Sequence, residues 1–324
     1  MTILITGVAG FIGSFLAEHL IEGGYKVIGV DNLFRGKLEN IQHLPKTHFE
    51  FLKLDLSQAK HIKRIRDLLL KHHITTVFHL AAINGTQYFY DKPFFVLDQN
   101  IKITQNLLES TLETQVKYII YTSSSEVYGE ATQFPTPETH PISVHEDIDR
   151  DSYAASKALG EFYVRLFSQL HQIDYLILRV FNIYGERMVG TRYGQVIPEF
   201  INKMQSPEKF TIIGDGKQTR SFCYIRDLIY ILKTLMQKQT TGLMNIGNDD
   251  EISIAELAQN LHQLAGRAFE PTYLSGRPND HQRRKPDLSH LRRVLPELVF
   301  TPLEKGLIRT LAFYTALPRR GGEK

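Results

Sequence analysis

The sequence predicts an α/β fold: a doubly wound parallel sheet with a smaller, interleaved C-terminal lobe. Three observations carry that prediction. Short apolar runs alternate with helix-period runs through the first half of the chain. A glycine-rich turn follows the first apolar run at once. Polar residues gather where the apolar runs end, which in an open α/β sheet is the edge that binds ligands.

At 324 residues the chain can form one large unit or two lobes, divided here as 1–180 and 181–324 with a soft boundary. A net charge of +3 is small for this length and gives no reason to propose nucleic acid, whereas anionic small molecules fit. The single cysteine, Cys223, excludes an internal disulfide and a cysteine-based zinc cluster, which suits a reducing cytoplasm. The histidines show no metal-binding spacing, so no metal is expected. No apolar run reaches the roughly 18 residues of a membrane span, and neither a signal peptide nor a membrane partner is expected.

Residues 3–6 (ILIT) read as the first strand, and GVAGFIG follows with Gly7, Gly10 and Gly13 at GxxGxxG spacing. Glycines there permit a tight turn and close approach of the backbone to a pyrophosphate, with Phe11 and Ile12 opening the helix behind it. The next strand, YKVIGVD, ends at Asp31, followed by Asn32. An acid about 20 residues beyond the glycines suits ribose hydroxyls and repels a 2′-phosphate, so NAD is favoured over NADP, although Arg35 lies close by. FEFLKLDL (49–56) reads as a third strand with Asp55 and Leu56 at its end, near the adenine. TTVFHLAA (75–82) is a fourth, whose Leu80, Ala81 and Ala82 let a cofactor lie against the backbone. His79 within it is a packed core histidine. A long helix over 94–114 contains Asn100, and KYIIYTSSS forms the fifth strand.

The helix over 153–171 carries Tyr153 and Lys157, four apart and therefore on one face. A phenol, with a pKa of about 10, is a poor base until a nearby ammonium favours the phenolate. A serine from the run Ser123-Ser124-Ser125 shares the substrate proton, so these groups can deprotonate a carbinol as its hydride leaves. Beyond DYLILRVFNIYG (174–185) the strand–helix rhythm loosens into the smaller lobe, and LMNIG (243–247) reads as a strand returning to the main sheet.

GxxGxxG, Asp31, HLAA, SSSEVYG, YAASK, RVFNIYG, GDGKQTRSFCYIRDL and RRKPDL together resemble the extended short-chain dehydrogenases that modify nucleotide sugars, a family with a Rossmann fold. The resemblance implies a tightly held NAD⁺ that takes a hydride from the sugar C4 and later returns it. It makes Tyr153 the base, Lys157 the group that lowers its pKa, and Ser124 the donor to the C4 oxygen. Asn100 joins the cofactor site. Asn182, Arg187, Gln195, Val196 and Arg220 fall where the family holds the nucleotide, with Arg–phosphate bonds supplying affinity. The loop Asn84, Thr86, Gln87 and Tyr88 falls where the family contacts the sugar. A homodimer is implied through the helices near 94–114 and 153–171, with Leu107, Leu108, Phe162 and Leu166 either on the shared face or in the core.

Members differ in the step after C4 oxidation. Dehydratases carry an acid where Ser125 stands, and a hydroxyl is a poor substitute. The Ser125-Glu126 step and DHQRRKPDL resemble the UDP-glucuronate decarboxylases, with Arg284 beside the substrate carboxylate. Ser124 in place of threonine and the loop AINGTQYFYDKP depart from them. Decarboxylation of a UDP-hexuronate and 4-epimerisation remain alternatives, with 4,6-dehydration behind. A non-catalytic NAD-binding regulator would be expected to lack the Tyr or the Lys, and a reductase would need exchangeable cofactor.

Overall fold

A computed structural model of the chain describes residues 1–188, 190, 195–276 and 281–316. The first half alternates as expected: β1 (Thr2–Thr6), α1 (Phe11–Glu22), β2 (Lys26–Asp31), β3 (Phe49–Lys53), α2 (Ile62–Lys71) and β4 (Thr76–His79). Then come α3 (Thr86–Asp91), α4 (Pro93–Ser110), β5 (Tyr118–Ser124), α5 (Asp151–His171) and β6 (Asp174–Val180). The second half adds β7 (Ile183–Tyr184), α6 (Val196–Gln205), β8 (Thr211–Ile213), β9 (Thr219–Ser221), β10 (Cys223–Tyr224) and α7 (Ile225–Gln237). It closes with β11 (Gly242–Ile246), β12 (Glu251–Ser253), α8 (Ile254–Leu264), β13 (Thr272–Leu274), β14 (Arg283–Arg284) and two further helices.

Seven strands form one parallel sheet in the order β11-β6-β5-β4-β1-β2-β3. Helices cover both faces, so the strand interiors are apolar on both sides: Ile3, Leu4, Ile5, Val77, Phe78, Ile119 and Ile120 are fully buried. The strand order reverses between β1 and β4, which opens a crevice above their carboxyl ends. β11 comes from the second half, so the lobes share one sheet.

Several expected boundaries shift, each for a local reason. β3 stops at Lys53, and Asp55 turns back so that its Oδ1 accepts from Ser57 N and Ser57 Oγ, an alternative to ladder pairing. β4 ends at His79, because Ala81 N donates to Thr6 Oγ1 and leaves the ladder. The long helix starts at Pro93, where a missing N–H costs nothing, and ends at Ser110. The run 174–185 divides: β6 pairs with β11, whereas β7 turns away to pair with β10. Leu107 and Leu108 are core residues at 0% and 2% exposure, so they lie on no docking face. Phe162 and Leu166 do stand on the surface.

α5 packs so closely on β5 that a Cβ on Gly160 would lie 2.0 Å from Tyr121 Oη, with Tyr121 itself buried. Helix propensity alone favours alanine there by about 1 kcal/mol. Overpacking a filled core costs about 1–3 kcal/mol, so the clash wins. Gly160→Ala is expected to lower stability in urea unfolding, and a stabilised variant would refute this packing.

Candidate active site

The glycine turn has the geometry that a pyrophosphate cradle needs. Gly7 adopts φ +72°, and a Cβ there would lie 2.9 Å from Ala81 N. A Cβ on Gly13 would lie 2.2 Å from Gly7 O, so only glycine lets α1 start this close to β1. A cleft above the turn is lined by Gly7, Gly10, Phe11, Ile12, Gly13, Asp31, Asn32, Asp55, Leu56, Leu80, Ala81 and Ala82. The Asp31 carboxylate accepts from Ala9 N (3.0 Å) and Leu33 N (2.7 Å). Burial raises its pKa, and those two N–H bonds pull it back. These residues fit a dinucleotide: a backbone cradle for phosphate and a fixed acid for ribose hydroxyls.

Three positions take other places than expected. Asn100 does not line the cleft; its side chain is 3% exposed and bonds Ile83 N, Ile83 O and Ser156 Oγ. It holds the strand-end wall in place from behind. Arg187 and Gln195 line the cofactor cleft and not a separate nucleotide pocket. Arg187 donates to Ser14 Oγ (3.2 Å) and Glu18 Oε1 (2.6 Å), tying the smaller lobe to α1. Of the others, Val196 begins α6, Asn182 Nδ2 donates to Ser221 O, and Arg220 Nη2 donates to His281 O. His79 is a core residue bonded to Thr6 and Thr104, and burial lowers its pKa to about 3.

β5 ends at Ser124, whose hydroxyl accepts from Glu126 N and caps a single turn over Ser125–Tyr128. That cap sets Ser124 near Tyr153, whose ionised form its hydroxyl favours. Tyr153 is 6% exposed and stacks on Phe89 of α3, with centroids 4.6 Å apart and planes 11° apart. Burial and then the Glu126 charge raise its pKa; the Ser124 hydroxyl and the Arg35 charge oppose them. Phe89 went unnoticed in the sequence, because no spacing rule places a loop aromatic over a distant tyrosine.

Lys157 is held by β5. Its Nζ donates to Thr122 O (2.7 Å) and sits 4.8 Å from the Tyr121 ring centre. The expectation that Lys157 lowers the Tyr153 pKa is therefore not met in this arrangement, where Arg35 supplies the opposing charge. Burial lowers the Lys157 pKa to about 7, partly countered by Glu161, four residues on and on the same helix face. The unfolded chain titrates at the ordinary value of 10.5, so between about pH 7 and pH 10.5 it binds more protons than the folded one. Folding at this position is thus penalised in full below pH 7 and recovers as pH rises. Lys157→Met is expected to gain stability over the wild type at pH 6, with the gap closing towards pH 10. A gap independent of pH in urea titrations would contradict that.

The remaining candidates form a buried ionic cluster. Glu126 Oε2 lies 2.9 Å from Arg150 Nη1, 3.3 Å from Arg284 Nη2 and 3.5 Å from His281 Nε2. Burial alone would raise the Glu126 carboxyl, but Arg284, Arg150 and His281 hold it well below the usual carboxylate range. It is a fixed anion, not a proton donor. Arg284 is 4% exposed, and burial brings its pKa down to about 10, so it stays charged near neutrality. Its Nη1 donates to Ser125 O, whereas Nη2 is buried without a hydrogen bond. Ser125 is 4% exposed and contributes that carbonyl. Arg150 and His281 were not foreseen; Arg150 stands three residues before Tyr153, a spacing that offers the only hint.

The loop after β4 forms α3. Asn84 lines the cleft, Thr86 begins the helix, and Gln87 is committed to Asp91. Tyr88 packs against Phe34 (5.8 Å) and lies under the Arg35 guanidinium (5.8 Å). Through Phe89, this helix covers the Tyr153 ring.

Residues 3–247 match the description of the NAD dependent epimerase/dehydratase family. A UDP-N-acetyl-alpha-D-glucosaminuronate decarboxylase of Bacillus cytotoxicus is 34% identical, covering 96% of this chain and 97% of its own. A UDP-glucuronic acid decarboxylase of Xenopus tropicalis is 31% identical, over 96% of this chain and 72% of its own. The solved UDP-glucuronic acid 4-epimerase of Bacillus cereus, in complex with UDP-glucuronic acid and NAD, has a TM-score of 0.86 and 30% identity, covering 97% and 99%. With a family match over most of its length and a cleft built for a dinucleotide, the chain belongs to the NAD-dependent epimerase/dehydratase family.

Proposed function

We propose that the chain decarboxylates a UDP-linked hexuronate, starting with oxidation at C4. The observation that carries this reading is Arg284: a buried, charged guanidinium beside Ser125 and Glu126 with an N–H lacking any hydrogen bond. A ligand carboxylate would satisfy it, and a buried arginine makes its strongest bonds to such groups. Held over Gly7, Gly10 and Gly13 with Asp31 at its ribose, NAD⁺ would supply the hydride acceptor. Tyr153, aided by Ser124, takes the C4 hydroxyl proton as the hydride leaves C4. The resulting 4-ketone makes the C6 carboxylate a β-keto acid; the C5–C6 bond breaks, CO₂ departs, and its electron pair goes to the enolate. A proton adds at C5, then hydride and the Tyr153 proton return to C4 and its oxygen.

A second reading, 4-epimerisation, draws on the Bacillus cereus neighbour, a 4-epimerase of the same acid. Proton NMR of the purified protein with UDP-glucuronate and no added cofactor separates them. UDP-xylose or its 4-keto form supports decarboxylation; UDP-galacturonate supports epimerisation. UDP-N-acetylglucosaminuronate belongs in the same assay, given the Bacillus cytotoxicus relative.

We further propose a homodimer. Phe162 (48%), Tyr163 (38%), Leu166 (52%) and Leu170 (76%) of α5 stand exposed, an apolar face suited to a second copy. Light scattering at the monomer mass would sink this. Buried, reduced Cys223 is consistent with a cytoplasmic setting, and no described helix is long and apolar enough to cross a membrane.

A further inference from the structure

The Glu126 cluster contains a residue that the proposed chemistry leaves without a task. Arg150 is 6% exposed and stands at the entry of α5, three residues ahead of Tyr153. Two guanidinium groups and the His281 imidazole crowd one oxygen, Glu126 Oε2. A carboxylate oxygen has about two lone-pair sites, so it cannot serve all three neighbours equally well. Arg150 holds the nearest place at 2.9 Å. Arg284 Nη2 is left at 3.3 Å, outside hydrogen-bonding geometry and shielded from solvent. Nothing about Arg284 itself produces this; its other nitrogen is well placed on Ser125 O. The competition for Glu126 does.

We infer that Arg150 is a positioning residue for substrate choice: by drawing the Glu126 carboxylate to itself, it reserves the Arg284 guanidinium for the carboxylate of a hexuronate. The inference rests on the uronate reading above. Its physical content is a competition between two carboxylates, one from the chain and one from the ligand, for a single guanidinium. While Arg150 keeps the Glu126 anion engaged, the ligand carboxylate meets a cation whose charge is only partly spent. Without Arg150, Glu126 turns fully onto Arg284 and the ligand must displace it. His281 cannot replace Arg150, because its Nδ1 is engaged by Glu130 at 2.9 Å and its Nε2 lies farther from Glu126. A purely structural Arg150 would affect every ligand alike, so the diagnostic quantity is a ratio.

The test is calorimetric binding of UDP-glucuronate and of UDP-glucose to the full-length protein as purified. These ligands differ at C6 alone. The wild type is expected to favour the acid, and Arg150→Met to reduce that preference at least tenfold while binding UDP-glucose about as well as before. Arg150→Lys, which keeps the charge, should retain most of the preference. Glu126→Gln, nearly isosteric, removes the competing anion and should raise the preference for the acid. If Arg150→Met does not fold, the lysine and glutamine variants decide the matter. Equal weakening of both ligands in the Arg150 variants, or a lower preference in Glu126→Gln, would overturn the inference. A wild type that binds both ligands equally overturns the uronate reading itself, and this inference with it.

Discussion

Tyr153→Phe is expected to lower kcat by about 10²–10⁴, the usual worth of a positioned acid–base group, and to leave purified NAD content unchanged. The phenyl ring keeps the stack on Phe89, at 4.6 Å and 11°, so the wall of the site survives. Only the hydroxyl is lost, with the influence of Ser124 upon it. That group is also the one whose burial disfavours ionisation in the free enzyme, so removing it costs little stability. The separation of effects is the point: turnover followed by NMR should collapse while chromatographic NAD content and the melting curve hold. Turnover near the wild-type rate would remove Tyr153 from the chemistry and shift attention to Ser124.

Arg179→Met should produce the largest stability loss. The Arg179 Nε and Nη2 groups donate to both oxygens of Glu161, at 2.9 and 2.8 Å, and the two side chains are 5% and 8% exposed. Glu161 also accepts from Ser123 Oγ at 2.6 Å. Removing the arginine strands a carboxylate beneath the sheet edge, a change that costs about 3–5 kcal/mol. The pair is not expected to be irreplaceable: Arg179→Met combined with Glu161→Leu should recover much of the loss, since a buried apolar pair needs no desolvation of charge. As a control, Lys63→Met breaks a pair whose side chains are 84% and 58% exposed, and should cost less than about 1 kcal/mol. Urea midpoints for the four proteins check all of this. An Arg179→Met loss no larger than that of Lys63→Met would mean that Glu161 is solvated after all.

Residues whose roles depend on near neighbours along the chain are legible in the sequence. Gly7, Gly10 and Gly13 stand between a strand and a helix, Asp31 ends the next strand, and Tyr153 and Lys157 share a helix face by spacing alone. Tertiary encounters are not legible in that way. Phe89 meets Tyr153 across 64 residues, and Arg150 meets His281 across 131, the latter through the return of β14 alongside β9. Asn100 was misplaced for a related reason: a helix residue near the cleft can face the cofactor or the wall behind it, and periodicity does not say which. Four-residue spacing brings Tyr153 and Lys157 to one face without saying what each side chain bonds. Here the Lys157 ammonium donates to the Thr122 carbonyl and faces the Tyr121 ring.

The position of β11 has a consequence for how the protein is made. β6 is an interior strand only because residues 242–246 lie along it, and those residues come after it by some sixty positions of intervening chain. On a ribosome, the six earlier strands emerge well before the seventh, so a nascent sheet presents the open, apolar edge of β6 until residues 242–246 have been translated. Unpaired edges of that kind invite association with other chains. A fragment ending near residue 181 is thus an incomplete sheet rather than a minimal cofactor domain. It should aggregate or engage chaperones when expressed alone, while a fragment extended through α7 and β11 should remain in solution.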